Sequence, residues 1–500
     1  MCGVIGIIGP TVLEENPSWA AFEAYRGLLT LQHRGQDAAG ILSYNPSFQK
    51  FHQEKDLGLI ASVFNQESLL KLKGNMAIGH TRYATAGGDG KEDLQPLVTG
   101  FPFGVGMVHN GNVVNYHSVT RELQNKHHLK MLTNNDLELF LHLWCQKLSE
   151  TSTADSFKFE PEKALKACEE IFQKLEGGYA VVGIMADEGL FGMRDPHGIR
   201  PLVLGRKKFG DEGDRYSYCL CSETISLNFL GYDFVRDIEP GEFIFINENG
   251  EIFSKVAESA KGKVKAPCMF EWIYFSGAES QFENINVYNA RLNLGKVLAK
   301  KARQLIQTGV INPDVVCPVP DTSRTASISL AENLGLPYRE SLIKNRYIQR
   351  SFILNTQEKR EKAVELKLSP VRSEIEGKKI LLVDDSIVRG TTSKKIIDLL
   401  KRHGASDITL AITCPPLRYA CYYGIDFPNP KELIAKDKTL DEIADWVGAN
   451  KVIYLDENDL VEAIGKEKMC MACVNNKYPT SVTEAEEFSR LRQIHKENLS

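Results

Sequence analysis

KILLVDDSIVRGTTSKK, residues 379–395, decides how the second half of this chain is read. Ile380 to Val383 form a short, wholly apolar run, as expected of a strand buried on both faces. Two carboxylates, Asp384 and Asp385, follow at the strand's carboxyl end, the side on which open α/β sheets bind ligands. Gly390, Thr391 and Thr392 then stand just ahead of a helical run. Glycine lets the backbone approach a ligand closely. Threonine hydroxyls and the free N–H groups of a helix start suit a phosphate, and Arg389 adds positive charge. Adjacent acids beside such a cradle suit a hydrated Mg2+ or the hydroxyls of a sugar. A capped helix after an acidic turn would give the same short pattern.

Working outward, residues 377–413 read as strand, loop, helix, strand, and residues 311–338 as strand, polar loop, helix. Alternation of this kind predicts a parallel sheet with covering helices. The first 240 residues read differently. Short β-type runs (VIGIIG at 4–9, MAIGHTRY at 76–83, GVGMVHNG at 104–111, YAVVGIMA at 179–186, LVLG at 202–205) are punctuated by glycine and asparagine. Helical periodicity stands out at 17–32, about 135–148 and about 160–175. A small, basic, proline-ended stretch at 257–267 marks a boundary. The expected division is 2–240, 262–460 and a C-terminal tail, 461–500.

The bulk numbers exclude some classes. A chain of 500 residues, 43% apolar and 25% charged, has the make-up of a soluble globular protein of two to four domains. A net charge of −5 argues against a nucleic-acid binder held by phosphate contacts. No stretch approaches the roughly 18 apolar residues of a membrane span. VIGIIG is too short for a signal-peptide core and has no basic residues before it, so a cytoplasmic location is expected. There the eleven cysteines are not expected to pair as disulfides.

One of them sits directly behind Met1, a position open to processing. Removal of Met1 would give Cys2 a free α-amine with an ordinary pKa near ~8. That amine can take the thiol proton and later return it to a leaving group, so nucleophile and base belong to one residue. CGVIGIIG, LQHRGQDAAGI (31–41), IGHTRYATAG (78–87), VHNGNVVNY (108–116) and TNNDLE (133–138) follow in order. Together they resemble the class II glutamine amidotransferase pattern, which implies an N-terminal-nucleophile αββα sandwich. The resemblance makes Cys2 the nucleophile that attacks the glutamine amide. It gives Asn110 and Gly111 the tetrahedral oxyanion, Arg82 the glutamine α-carboxylate and Asp136 its α-ammonium. Residue by residue, other readings stay open: HNGN could be a hairpin turn, Asp136 a helix N-terminal carboxylate, and QHRGQD a capped helix end.

ILLVDDSIVRGTT (380–392) resembles the phosphoribosyl pyrophosphate (PRPP) motif of type I phosphoribosyltransferases. By that resemblance Asp384 and Asp385 hold ribose or Mg2+, and Ser386, Arg389, Gly390, Thr391 and Thr392 wrap the 5′-phosphate. PVPDTS (318–323) is similar to the family's pyrophosphate-side loop, which makes Thr322 a metal-shell ligand. IKNRYIQRSFI (343–353) resembles its lid, with Lys344, Arg346 and Tyr347 reaching the pyrophosphate. Basic groups on a lid neutralise the leaving pyrophosphate and shut out water.

Joined in this order, the halves resemble the glutamine phosphoribosylpyrophosphate amidotransferase family, from Cys2 to about Thr480. The resemblance implies that glutamine, PRPP and water give 5-phosphoribosylamine, glutamate and pyrophosphate, the first committed step of purine synthesis. It also implies a homotetramer, inhibition by purine nucleotides and one Mg2+ per subunit. Other class II glutaminases feed different synthases, but no ATP-pyrophosphatase loop or sugar-isomerase repeat follows here. A non-catalytic PRPP-sensing regulator need not keep Cys2, Asn110, Asp384 and Asp385, all present here.

Cys470 and Cys473 form CMAC, a spacing open to zinc, iron–sulfur or a redox pair. With Cys268 and Cys421 they resemble the ligands of one [4Fe–4S] cluster per subunit in a Bacillus-like branch of the family. That branch commonly carries a propeptide before its cysteine, whereas only Met1 precedes Cys2 here. Cys145, Cys168, Cys219, Cys221, Cys317 and Cys414 are read as core or surface thiols.

Overall fold

A computed structural model describes residues 1–10, 15–83, 90–151, 158–209, 215–345, 368–425 and 430–485. In chain order the first half supplies β1 (Gly3–Ile8), β2 (Ala38–Asn45), β3 (Lys50–Leu57), β4 (Met76–Arg82), β5 (Leu97–Thr99), β6 (Val105–Val113), β7 (Gly177–Met185), β8 (Gly189–Arg194), β9 (Val203–Lys208), β10 (Tyr216–Cys221), β11 (Asp233–Asp237), β12 (Glu242–Asn247) and β13 (Ile252–Val256). They form a seven-stranded sheet, β11-β9-β10-β1-β4-β2-β3, and a six-stranded sheet, β13-β12-β8-β7-β6-β5.

Alternation along the strands sends one face of each sheet inward, where Val4, Ile8, Leu42, Ile78, Val108, Val182 and Ile244 share a core. The outward face of the first sheet packs on the helix Trp19–Thr30 through Ile5, Ile7, Ala24 and Leu28. The outward face of the second packs on the helices Leu137–Thr151 and Pro161–Lys174, with Trp144 stacked on Phe191. Pro161 opens its helix at the one place where a missing N–H costs nothing. The expected αββα sandwich is therefore present, with all three predicted helices. Its end lies later than residue 240. β12 and β13 pair with β8 and with each other, so the sandwich runs to Val256. β13 is short and mostly exposed, so its membership rests on pairing with β12.

The second half contains two short ribbons, β14 (Gln281–Phe282) with β15 (Ile285–Asn286) and β17 (Leu342–Lys344) with β18 (Leu368–Pro370). Its main sheet is β16 (Val315–Pro318), β19 (Lys379–Asp384), β20 (Asp407–Ile412) and β21 (Lys451–Tyr454), in the order β16-β19-β20-β21 with every pair parallel. The helices Val287–Gln307, Arg324–Leu334, Thr391–Arg402 and Leu440–Val447 cover it. Residues 461–485 pack on this half. Val474 and Ala485 join the core of this half, and the helix Glu457–Ile464 crosses the expected boundary at 460. That same core takes in Met1, Val114 and Ile199 of the first half, so the two units share apolar contacts. Among the described residues, no helix is long and apolar enough to cross a membrane.

Candidate active sites

β1 begins one residue after Cys2, so the strand fixes where the thiol sits. The Cys2 N–H donates to Asn110 Oδ1 at 3.1 Å, and the Gly3 N–H donates to Thr81 Oγ1 at 3.1 Å. The Cys2 thiol lies 3.8 Å from the Tyr83 carbonyl. Cys2 is buried, and so is Met1, whose thioether rests against Arg200. Burial pushes the Met1 amine down to about 5. The terminus expected to be open to processing is thus enclosed in this fold.

Asn110 is in the middle of β6, paired with Ala180 of β7, and Gly111 faces Tyr179. HNGN is therefore strand, not a hairpin turn. Its glycine has another reason: φ is +148°, and a Cβ there would lie 2.1 Å from the Gly178 carbonyl oxygen. The Asn110 amide is split between two tasks. Its oxygen holds the Cys2 main chain, while its Nδ2 is buried and bonds to no protein atom. An unmet buried donor is costly, and this one stands on the residue that holds the Cys2 main chain.

Asp136 lies one residue before the helix Leu137–Thr151. Its Oδ2 accepts the Val113 N–H at 2.9 Å, and its Oδ1 lies 3.2 Å from His109 Nε2, a close but poorly aligned approach. Burial pushes Asp136 up, but His109 and the Val113 N–H outweigh it and hold the carboxyl below its ordinary value. Arg82, the last residue of β4, is buried, and its carbonyl accepts the Asp37 N–H at 3.0 Å. Cys2, Asn110 and Asp136 are thus tied together through β6: Asn110 bonds Cys2, and Val113 bonds Asp136.

Sequence reading gave no role to the charges behind Cys2. The Arg34 Nε–H donates to the Cys2 carbonyl at 3.0 Å. Its two terminal nitrogens grip Glu271 at 2.9 and 3.0 Å, and one also meets Glu223. All three side chains are buried. Arg34 was visible inside LQHRGQ, but Glu223 and Glu271 carry no local pattern.

In the second half, Asp384 ends β19, and Asp385 follows it into the loop. The Asp385 N–H donates to Asp384 Oδ1 at 2.9 Å; Asp385 accepts from the Ser386 hydroxyl at 2.8 Å and also from the Thr322 hydroxyl. Burial pushes both carboxyls up, and Asp385 raises Asp384 further. Thr322, Ser386 and the Arg291 charge pull Asp385 the other way. Two adjacent carboxyls, Asp384 half-buried and Asp385 buried, with a hydroxyl beside them are the oxygen donor set a hard divalent cation takes.

Gly390 precedes the helix Thr391–Arg402 at φ +75°, and a Cβ there would come within 2.7 Å of the Trp446 ring. Thr391 and Thr392 stand exposed in the first turn, where the helix has no side-chain cap. Arg389 is turned toward Glu432, and Lys344, at the end of β17, meets Asp321 at 2.6 Å. Arg346 and Tyr347 lie outside the described residues.

Cys268 and Cys470 face each other across a backbone bridge. Cys421, Cys470 and Cys268 all lie within electrostatic reach of Cys473. Burial pushes the Cys268 thiol up to about 11 and the Cys470 and Cys473 thiols up as well. Among the described residues, no three Cys, His, Asp or Glu side chains are disposed to hold one metal ion. A cubane cluster takes one thiolate per iron, so four cysteines are the donor set it would need.

Residues 80–223 match the glutamine amidotransferase domain model, and residues 285–458 match the phosphoribosyl transferase domain model. The chain is 41% identical over 496 residues to the amidophosphoribosyltransferase of Methanocaldococcus jannaschii, covering 96% of this chain and 98% of that one. It is 40% identical to that of Escherichia coli, covering 93% of this chain and 89% of that one. For Saccharomyces cerevisiae the figures are 39%, 94% and 90%. Among solved structures, the Bacillus subtilis glutamine PRPP amidotransferase complexed with ADP and GMP superposes with a TM-score of 0.81 at 37% identity. That superposition covers 96% of this chain and 98% of the other.

Proposed function

The chain belongs to the amidophosphoribosyltransferase family, and on that premise we propose how its own residues divide the work. Once Met1 is removed, the Cys2 α-amine stands where Asn110 Oδ1 accepts its N–H. The amine takes the thiol proton, and the thiolate attacks the glutamine side-chain amide. Asn110 Nδ2 and the Gly111 N–H meet the oxyanion, preplaced donors being worth most when they need no reorganisation. Arg82 pairs with the substrate carboxylate, and Asp136, held ionised, with its ammonium. Ammonia leaves, and water then clears the glutamyl thioester.

The freed ammonia attacks the ribose C1 of PRPP, and pyrophosphate departs. Asp384 and Asp385 hold the ribose hydroxyls or Mg2+, with Thr322 beside them. Mg2+ supplies neutralisation of the pyrophosphate charge. Ser386 to Thr392 cradle the 5′-phosphate, and Lys344, Arg346 and Tyr347 reach the leaving group. Cys268, Cys421, Cys470 and Cys473 hold a [4Fe–4S] cluster in a structural or regulatory role, since neither half-reaction moves an electron. Iron and sulfide analysis after anaerobic purification tests this; zinc without iron overturns it. The working form is a cytoplasmic homotetramer inhibited by purine nucleotides.

The split Asn110 amide, oxygen on the nucleophile's main chain and nitrogen unpartnered, carries this reading. Intact mass combined with a coupled assay tests it. Met1 should be missing, and glutamate and pyrophosphate should appear in equal amounts only when PRPP is present. A chain still carrying Met1 that consumes glutamine at full rate overturns it.

A further inference from the structure

The carbonyl of Cys2 is held by a charge cluster that only the two halves together complete. Arg34 and Glu223 come from the sandwich; Glu271 and Ser276 come from the segment that opens the second half. Arg34 gives its Nε–H to Cys2 and its two outer nitrogens to the two Glu271 oxygens. This bidentate fork fixes the plane of the guanidinium as well as its position. Glu271 is itself held. Its Oε2 accepts the Ser276 hydroxyl at 2.8 Å, and its Oε1 lies 3.4 Å from Arg200 Nη1. Glu223 closes the ring from the other side, accepting the Gly277 N–H and the Ser280 hydroxyl at 2.8 Å each. Two buried guanidiniums thus face two buried carboxylates, and Arg34 reaches the nucleophile's own carbonyl directly.

From this geometry we infer that Glu271, a residue of the second half, is a positioning residue for the glutaminase reaction, acting on Cys2 through Arg34. It touches neither substrate nor thiol. Its effect is on where the Cys2 main chain sits relative to Asn110, and small misplacements of a nucleophile cost rate steeply, about 10²-fold for ~1 Å. The first half therefore carries every reacting group for glutamine, yet its nucleophile is locked in place by the second.

The inference rests on the reading of Cys2 as nucleophile, and the test separates the two. Full-length wild type, Cys2→Ala and Glu271→Gln are assayed with glutamine and, separately, with high ammonium at alkaline pH. Cys2→Ala should lose glutamine use only; if it keeps glutamine use, the nucleophile reading itself fails. Glu271→Gln keeps size and one good acceptor but weakens the fork. It should lower kcat with glutamine by about tenfold to 10²-fold, leave KM for glutamine within about twofold, and leave ammonium-driven synthesis unchanged. The rate of Cys2 alkylation by iodoacetamide should fall in parallel. An unchanged glutamine kcat overturns the inference, and so does an equal loss with ammonium, which would mark Glu271 as merely structural. If Glu271→Gln does not fold, Ser276→Ala removes one hydrogen bond to Glu271 and should give a smaller loss, again confined to glutamine. The same two contrary results would overturn the inference there.

Discussion

The two reaction centres of this chain are built on opposite plans. At Cys2 the protein supplies nearly everything: Asn110 is fully buried, Asp136 is held ionised, and Arg34 is locked between two carboxylates. At Asp384 and Asp385 the protein supplies an unfinished charge pattern. Two carboxyls are pushed toward neutrality, Thr391 and Thr392 face solvent, and Lys344 and Arg389 are engaged with Asp321 and Glu432. The difference follows from the substrates. A glutamine amide is neutral, so donors for its oxyanion have to be in place beforehand. PRPP carries its own charge, and on the proposed function its arrival with a cation would complete the site.

Substitutions can break or sharpen this contrast. The largest effect is expected at the prebuilt site: Cys2→Ala should cut glutamine-dependent synthesis by roughly 10⁴-fold or more, with ammonium-driven synthesis intact. Loss of both activities in a folded protein would erase the division of labour. Asn110→Ala should lower glutaminase kcat by about 10²–10³-fold, as loss of one oxyanion donor does; steady-state kinetics with saturating PRPP reads it out.

At the unfinished site a smaller change is expected. Gly390→Ala forces a Cβ into left-handed backbone and against Trp446. It should cost about 1–3 kcal/mol of stability, seen in denaturant midpoints, and raise KM for PRPP under both nitrogen sources.

The smallest effect is a pH dependence. Asp136 lies below its ordinary value in the folded chain, so it favours folding above the unfolded carboxylate pKa of ~3.9. That contribution is lost as pH falls through the still lower folded value. The Tm gap between wild type and Asp136→Asn should therefore persist down to about pH 4 and shrink below it. A gap that closes already at pH 6 would show that Asp136 is not held ionised.

Much of this was legible along the chain, because the groups proposed to act on substrate sit in short contiguous stretches. ILLVDDSIVRGTT placed the strand end, the acids and the helix start within thirteen residues, and β19, Gly390 and the helix Thr391–Arg402 fall where that reading put them. VHNGNVVNY marked Asn110 and Gly111 and left two settings open, a β-type run and a hairpin turn; the strand is the one found. Asn-Gly favours a tight turn locally, and only pairing with β7 across about seventy residues keeps it extended. The sandwich's end was missed for a similar reason, since β12 and β13 belong to it by hydrogen bonds to β8, not by composition.

The amino-acid sequence by itself determined which groups the proposed chemistry draws on: a thiol that processing can make terminal, an asparagine and glycine in one strand, and an acid pair ahead of a glycine–threonine helix start. Tertiary structure alone decided how these are held. Glu271 meets Arg34, and through it acts on Cys2, across 237 residues of chain, and Cys268 meets Cys470 across another long gap. Local preference and periodicity act over a few residues, whereas pairing of buried charges depends on which surfaces the packed cores bring together.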